Sequence, residues 1–425
     1  MTLTIERRAR RSWHQLRRRL GRDIAPRKRL VVEKSTWLHG ARSPVMLMID
    51  DLTNARHDQA RGDGWEPGGD WGAKLDAPGS ALWALEEGLL QDFPEARVTF
   101  FTVAGPISAY THDQPFSYAA PLDADAASRQ FFKSLSVDPR FELAYHGHDH
   151  GTPGDRTEDF VQEWQGFASR EAAVAQTRQG LDTFSRAIGV LPRGGKYGGW
   201  DYNGLADGAV DETGFIWWCR DWMPRDIADQ VPDAYYEPQF FGRNLVVALP
   251  STVHGHFWDT RQVDVLLARR QLISIEEHIA PVRPDGLVQT PNIIDDMPDL
   301  RRLYQYLRGK NVWHATGTEI ASYVLARERS LVFDVTMDGF SIRYEGRIER
   351  PQLTLQIDCS AACSPLQPLI EVIAPSGQSL SADACRFDRE RYNHTITIPV
   401  EEGRYSVQPR SEAGPTGDSA TCGGR

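Results

Sequence analysis

No stretch of the 425-residue chain approaches the ~20 consecutive apolar residues that a membrane-spanning helix requires. The N-terminus has neither an apolar core segment nor a small-residue cleavage site, so no secretory signal is expected. Cysteine is scarce. The five residues Cys219, Cys359, Cys363, Cys385 and Cys422 are odd in number and mostly C-terminal. A disulfide framework is therefore not expected, and a reducing, cytoplasmic setting fits best. One short spacing among Cys359, Cys363 and Cys385 reads as ordinary thiols rather than a metal cluster. An excess of positive charge is also missing: the formal net charge is -10, which argues against nucleic acid as a partner. No internal repeat is present, and no Gly-rich dinucleotide fingerprint follows the first apolar run.

The composition is otherwise that of a globular protein, 40% hydrophobic and 25% charged, and the length suits more than one domain. Basic residues crowd residues 1–42. There Trp13, Leu16, Leu20 and Ile24 are spaced to share one helix face among arginines. This N-terminal arm or helix could make peripheral contact with an anionic membrane surface. The plainer alternative is a loose basic arm that packs on the protein.

Seven short apolar runs follow, at 45–49, 97–103, 141–145, 189–191, 215–219, 245–249 and 311–314. Their length and their Val, Ile, Phe and Trp content predict strands. Helical patterns lie between them at 80–90, 170–188, 263–279, 298–307 and 319–326, with Gly189 as a C-cap and Thr318 near an N-cap. Alternating strands and helices imply parallel strands joined by crossovers. The expected α/β architecture over 43–328 is a distorted or incomplete (β/α) barrel of about seven parallel strands. An open doubly wound sheet is the structural alternative. From about residue 329 the helical patterns stop and short alternating runs separated by turn residues predict a small β-sandwich to residue 409. A Gly-, Ser- and Thr-rich tail over 410–425 is expected to be disordered.

Ionisable groups gather where these strands end. Asp50 and Asp51 follow the first, and His146, His148 and His150 the third. Arg193, Lys196 and Tyr197 follow the fourth, Arg220, Asp221 and Trp222 the fifth, and His254 and His256 the sixth. In a (β/α) barrel that is the catalytic end. In an extended segment all three early histidines point one way, whereas in a helical turn only 146 and 150 share a face. His146 and His150 are therefore the pair favoured in both cases. A carboxylate with two imidazoles leaves an open position of the kind found in catalytic zinc sites. Adjacent Asp50 and Asp51 should point to opposite sides of a regular strand, one toward metal and the other able to accept a proton. Plainer readings are a helix cap for Asp50-Asp51 and a satisfied core histidine for His146. Three histidines within five residues, however, are costly to bury for packing alone.

The order Asp-Asp after strand one, Thr99-Phe100-Phe101 in strand two, His-x-x-x-His after strand three, an Arg-Gly motif, Asp-Trp and a late histidine resembles the polysaccharide deacetylase family, the NodB-homology domain of carbohydrate esterase family 4. The resemblance spans roughly 43–325. It implies a metal-dependent N-deacetylase with Asp50 as general base and Asp51, His146 and His150 as ligands of a divalent metal, zinc first. Arg193 and Asp221-Trp222 would orient base and acid, and His254 or His256 would be the general acid. Met48-Ile49 and Gly147 depart from the usual Thr-Phe and Ser/Thr without removing a ligand. Trp65 and Trp71, in an insertion over 53–80, suit stacking on sugar rings or simple loop packing. Trp217 and Trp218 read as core. Lys196, Tyr197 and Trp222 join Trp65 and Trp71 as candidate substrate contacts. The expected substrate is an N-acetylated sugar or glycan intermediate. The rivals are a non-sugar amide on the same fold and a catalytically silent glycan-binding protein.

Overall fold

A computed structural model of the chain describes residues 30–56, 80–113, 116, 118–220, 237–253, 260–280, 283, 287–358, 370–380, 385–388 and 393–409. The described residues fall into two compact units, one built on segments between 36 and 328 and the other on segments within 30–35, 329–345 and 352–409.

The larger unit is organised by β1 (Ser43–Leu52), whose residues are buried along almost its whole length, as in a parallel strand covered on both faces. Val45, Met46, Leu47, Met48 and Ile49 are fully buried, each contributing about 1.5–3 kcal/mol by burial. Beside it lie β2 (Val98–Val103), β3 (Phe141–Gly147), β4 (Gly194–Lys196), β5 (Trp217–Arg220), β6 (Val246–Pro250) and β7 (Ile273–His278). Their spatial order is β6-β5-β4-β3-β2-β1-β7, with every neighbouring pair parallel. Just beyond β6, Val253 bridges Ile275 of β7 in parallel, and the Val253 N–H donates to the Ser274 carbonyl. That contact closes the circuit.

Closure is confirmed from the inside. Cys219 Sγ lies 3.5 Å from Met48 Sδ, and the rings of Phe101 and Trp217 are 6.0 Å apart. Neither pair sits on adjacent strands, so these side chains meet across a barrel lumen. The alternate residues Val45, Leu47, Ile49, Phe100, Leu143 and Tyr145 face outward into the main hydrophobic core. That layer includes α1 (Ala81–Leu85), α2 (Ala126–Val137), α3 (Arg170–Ile188), α4 (Ala206–Glu212), α5 (Thr260–Arg269) and α6 (Met297–Leu307). Helix α3 starts on Ser169, whose side chain accepts from the Ala172 N–H, and ends on Gly189 in the left-handed region, as its sequence predicts. Helix α7 spans Gly317–Arg329.

The distorted barrel thus has seven parallel strands, but not the seven read from the sequence. The fourth strand is 194–196 rather than 189–191. Val190 and Leu191 follow the α3 cap and are exposed. The helix expected over 263–279 is two elements: α5 stops, Arg270 takes φ 57°, and β7 begins. The polar pair Glu276-Glu277 disguised a strand that is buried on both faces. The expected strand at 311–314 exists as β8 (Val312–His314), pairing with the start of β1, and Gln239–Phe241 runs antiparallel to β6.

The smaller unit is a sandwich of two antiparallel sheets. One holds Val31–Lys34, Gln352–Asp358, Asn393–Pro399 and Cys385–Asp388. The other holds Ser330–Phe333, Gly339–Tyr344, Gly403–Pro409, Ile370–Ile373 and Ser379–Leu380. Leu353, Leu355, Ile396 and Ile398 of the first sheet share a core with Phe340, Ile342, Val372 and Tyr405 of the second. Residues 31–34, which the sequence reading placed in the N-terminal arm, supply an edge strand here. The basic face carrying Trp13, Leu16, Leu20 and Ile24, and the tail over 410–425, lie outside the described residues. Among the described residues no helix is long and apolar enough to cross a membrane.

Candidate metal centre

The C-terminal ends of the barrel strands form one polar cluster. In a regular strand Asp50 and Asp51 would face opposite sides, and that expectation is corrected here. The register of β1 against β2 shifts between Ile49 and Leu52, and Asp51 takes φ 67°. The irregularity turns both carboxylates inward. Asp51 Oδ1 lies 3.4 Å from His146 Nε2 and 3.3 Å from His150 Nε2, while Asp50 Oδ2 is 3.9 Å from the same His146 atom. His150 is also left-handed, at φ 70°. Two of the three candidate ligands therefore hold backbone conformations that cost of order 1–3 kcal/mol each, a pattern typical of functional sites.

One atom each from Asp51, His146 and His150 falls within 4.8 Å of the others. Two ligands of a tetrahedral zinc ion at ~2.0–2.1 Å stand about 3.3 Å apart, which matches the two Asp51 distances. The donor chemistry fits as well. His146 Nδ1 is 3.2 Å from the Lys196 carbonyl, which can only accept, so Nδ1 carries the proton of the neutral ring. Nε2 then presents its lone pair to Asp51 Oδ1, itself buried and without a hydrogen-bond donor. A divalent cation between these two atoms would satisfy both. Burial acts to raise the Asp51 carboxyl, yet His150, His146 and His278 hold it well below the usual carboxylate range. Burial pulls His150 down to about 4, which leaves it neutral at neutral pH, as a metal ligand must be. Burial also acts to lower His146, but Asp50 and Asp51 outweigh it and raise this ring above its ordinary value. His148 turns away, its Nε2 3.0 Å from Gln179 Nε2 on α3.

Behind the triad sits a buried ion cluster that the sequence did not reveal. Lys196, at the end of β4 and fully buried, donates to Asp50 Oδ2 and to Glu276 Oε1 at 2.6 Å. The Trp200 ring covers its ammonium at 3.9 Å, and Trp200 Nε1 donates to the same Glu276 oxygen at 2.9 Å. Burial alone would discharge Lys196, but Asp50 and Glu276 raise its pKa. It is therefore a fixed countercharge for Asp50, not an open substrate contact. Arg193, for which the resemblance implied that orienting role, is exposed and precedes β4 at the strand's other end. Only the residue closing β4 faces Asp50. Tyr197, the next residue, points outward into the core. Its ring stacks on Tyr202 at 4.4 Å and its hydroxyl donates to Asp207 Oδ1 at 2.7 Å. Trp217 and Trp218 are core residues, as read.

His278 is the further residue that the sequence reading missed, because it ends the strand read as helix. Its Nδ1 donates to the Pro291 carbonyl at 2.8 Å, and its Nε2 is 3.9 Å from Asp50 Oδ2. A cavity of about 280 Å³ opens over these groups, lined also by Tyr110, Gln162, Trp200 and Gln289. Asp221, Trp222, His254, His256, Trp65 and Trp71 lie outside the described residues.

The barrel thus carries at its strand ends an Asp/His/His group that could hold a metal ion. No family model matches the chain, and no curated protein does. Among solved structures it is similar to a protein from Mycobacterium smegmatis described as a polysaccharide deacetylase, with 15% identity, a TM-score of 0.40, and coverage of 72% of this chain and 96% of that one. A second, described in the same way and from Pseudomonas aeruginosa PAO1, has 13% identity, a TM-score of 0.43, and coverage of 68% and 93%. Puue allantoinase has 14% identity, a TM-score of 0.42, and coverage of 68% and 92%. At such identities and TM-scores none of these proteins' activities carries over.

Proposed function

We propose that this protein is a metal-dependent hydrolase that removes an N-acyl group, acetyl foremost, from a sugar or glycan intermediate. The observation that carries the proposal is the convergence of Asp51, His146 and His150 beside a second carboxylate, Asp50, held separately by Lys196. Asp51, His146 and His150 would hold a divalent ion, zinc by the donor set, which would supply polarisation of a carbonyl and a lowered water pKa.

The chain's own groups divide the proton transfers. Asp50 Oδ2 is tied to Lys196, whereas Asp50 Oδ1 is buried and has no hydrogen-bond partner, so it is the oxygen free to take a proton from water. His278 is fixed through Nδ1 and presents Nε2 beside Asp50, where it can protonate a leaving amine. That geometry supports His278 as the proton donor of this proposal. The rings of Tyr110 and Trp200 and the amides of Gln162 and Gln289 border the cavity, a combination suited to a sugar's faces and hydroxyls.

The test is zinc content together with acetate release from a panel of N-acetylated sugars and non-sugar amides. Asp50→Asn should keep its zinc and lose roughly 10²–10⁴-fold in rate, while Asp51→Asn should lose both. Full turnover by Asp50→Asn sinks the mechanism, and turnover confined to non-sugar amides removes the sugar.

A further inference from the structure

The loop from His146 to His150 must deliver His150 with a left-handed backbone. What holds it lies elsewhere in the chain. Glu163, 6% exposed, inserts its carboxylate into the concave side of the loop. Its Oε1 accepts from the His148 N–H at 2.9 Å, and its Oε2 accepts from the N–H groups of His148, Asp149 and His150 at 2.8, 3.1 and 3.0 Å. The main chain answers, with the Glu163 N–H donating to the His150 carbonyl. Successive N–H groups wrapped around one carboxylate form an anion-binding cradle. The carboxylate also accounts for Gly147. A Cβ at that position would lie 2.3 Å from Glu163 Oε2, and the residue's φ is +131°, so glycine alone leaves the space that the carboxylate fills.

Resting on the metal reading above, we propose that Glu163 is a positioning residue for the metal site, and that Gly147 exists to admit it. The carboxylate sets the loop, and the loop sets the direction of His150. Glu163 touches neither metal nor substrate. Its loss leaves all three ligands in the chain but releases one of them from its geometry.

The experiment uses the full chain, with zinc as the probe. The variants are Glu163→Gln, which keeps the size but removes the anion, Gly147→Ala, which displaces the carboxylate, and the pair combined. Zinc affinity is measured by competition with a chromophoric chelator, at a temperature where circular dichroism shows the metal-free proteins folded. Amide hydrogen exchange at 148–150 is measured in the metal-free state. Each single variant should bind zinc about 10–100-fold more weakly. The double variant should lose far less than the product of the two, because both act through one contact. The three amides should exchange faster in both single variants. Zinc binding within about twofold of wild type in both, or unchanged exchange at 148–150, overturns the proposal. So does failure of both variants to fold at any temperature, which assigns Glu163 to the fold alone. Wild-type protein that takes up no zinc refutes the metal reading instead. That result is distinct from failure of the Glu163 assignment, in which wild type and variants bind zinc alike.

Discussion

Replacing Lys196 by methionine tests the logic of the site most sharply, because the substitution keeps the volume and removes only the charge. In the native protein one buried ammonium is shared by Asp50 and Glu276 under the Trp200 ring. Removing one member of a buried ion cluster costs about 3–5 kcal/mol, since the partners remain buried and uncompensated. In Lys196→Met two carboxylates share a low-dielectric pocket, and the pair retains one proton between them. The unfolded chain binds none on these groups above about pH 6. The native variant thus holds one proton more than the unfolded variant, and its stability falls as pH rises, by about 1.4 kcal/mol per unit. Wild type is insensitive to pH at this site near neutrality. Lys196 has a raised folded-state pKa, so its contribution is complete below the unfolded value of about 10.4 and constant near neutrality. The variant's deficit should therefore be largest at about pH 8 and shrink by up to ~2.7 kcal/mol at about pH 6. Urea unfolding of chelator-treated protein, followed by tryptophan fluorescence, measures it, because every described tryptophan lies in the barrel unit. Subtracting wild type at each pH removes the titrations common to both. A difference that is flat across this range, or below about 1 kcal/mol throughout, refutes the assignment of Lys196 as an essential countercharge.

The remaining expectations concern residues whose roles the structure redistributes. His278→Asn should lower kcat by roughly 10²–10⁴-fold with zinc retained; wild-type turnover would return the proton donor to His254 or His256. Tyr197→Phe should cost about 0.5–1.5 kcal/mol for the bond to Asp207 and leave kcat/KM unchanged, as should Arg193→Ala. A fall in kcat/KM for either, at unchanged stability, would restore the site roles that their sequence positions suggested.

The barrel was legible in the sequence because strands buried on both faces are written as short apolar runs with polar ends. The β1 run and its two aspartates are the plainest case. Where a buried strand carries charge, that signature fails. In β7 the segment Ile273–His278 includes Glu276, Glu277 and His278, and polar residues beside Leu and Ile imitate one face of a helix. Misreading this strand concealed both Glu276 and His278. The fourth strand was misplaced for a related reason: 194–196 is Gly-Gly-Lys, and glycine gives no hydrophobic signal. The glycines make room for neighbours on the adjacent strands, since a Cβ on Gly194 would lie 2.0 Å from the Trp217 ring and one on Gly195 2.2 Å from the Tyr145 carbonyl oxygen and 2.5 Å from the Trp218 ring.

By itself the sequence narrowed the candidate ligand set. His146 and His150 share a side in either local conformation and His148 only in an extended one, while Asp50 or Asp51 at the end of β1 supplies the carboxylate. Tertiary structure decided how those groups are held and which partners serve them. The bulge that turns Asp50 and Asp51 to one side, the lysine that charges Asp50 from three strands away, and the glutamate that fills the His146–His150 loop all depend on contacts between residues 13 to 146 positions apart. Periodicity reports on neighbours within one element. It carries no information about which side chains a closed barrel brings together across its lumen.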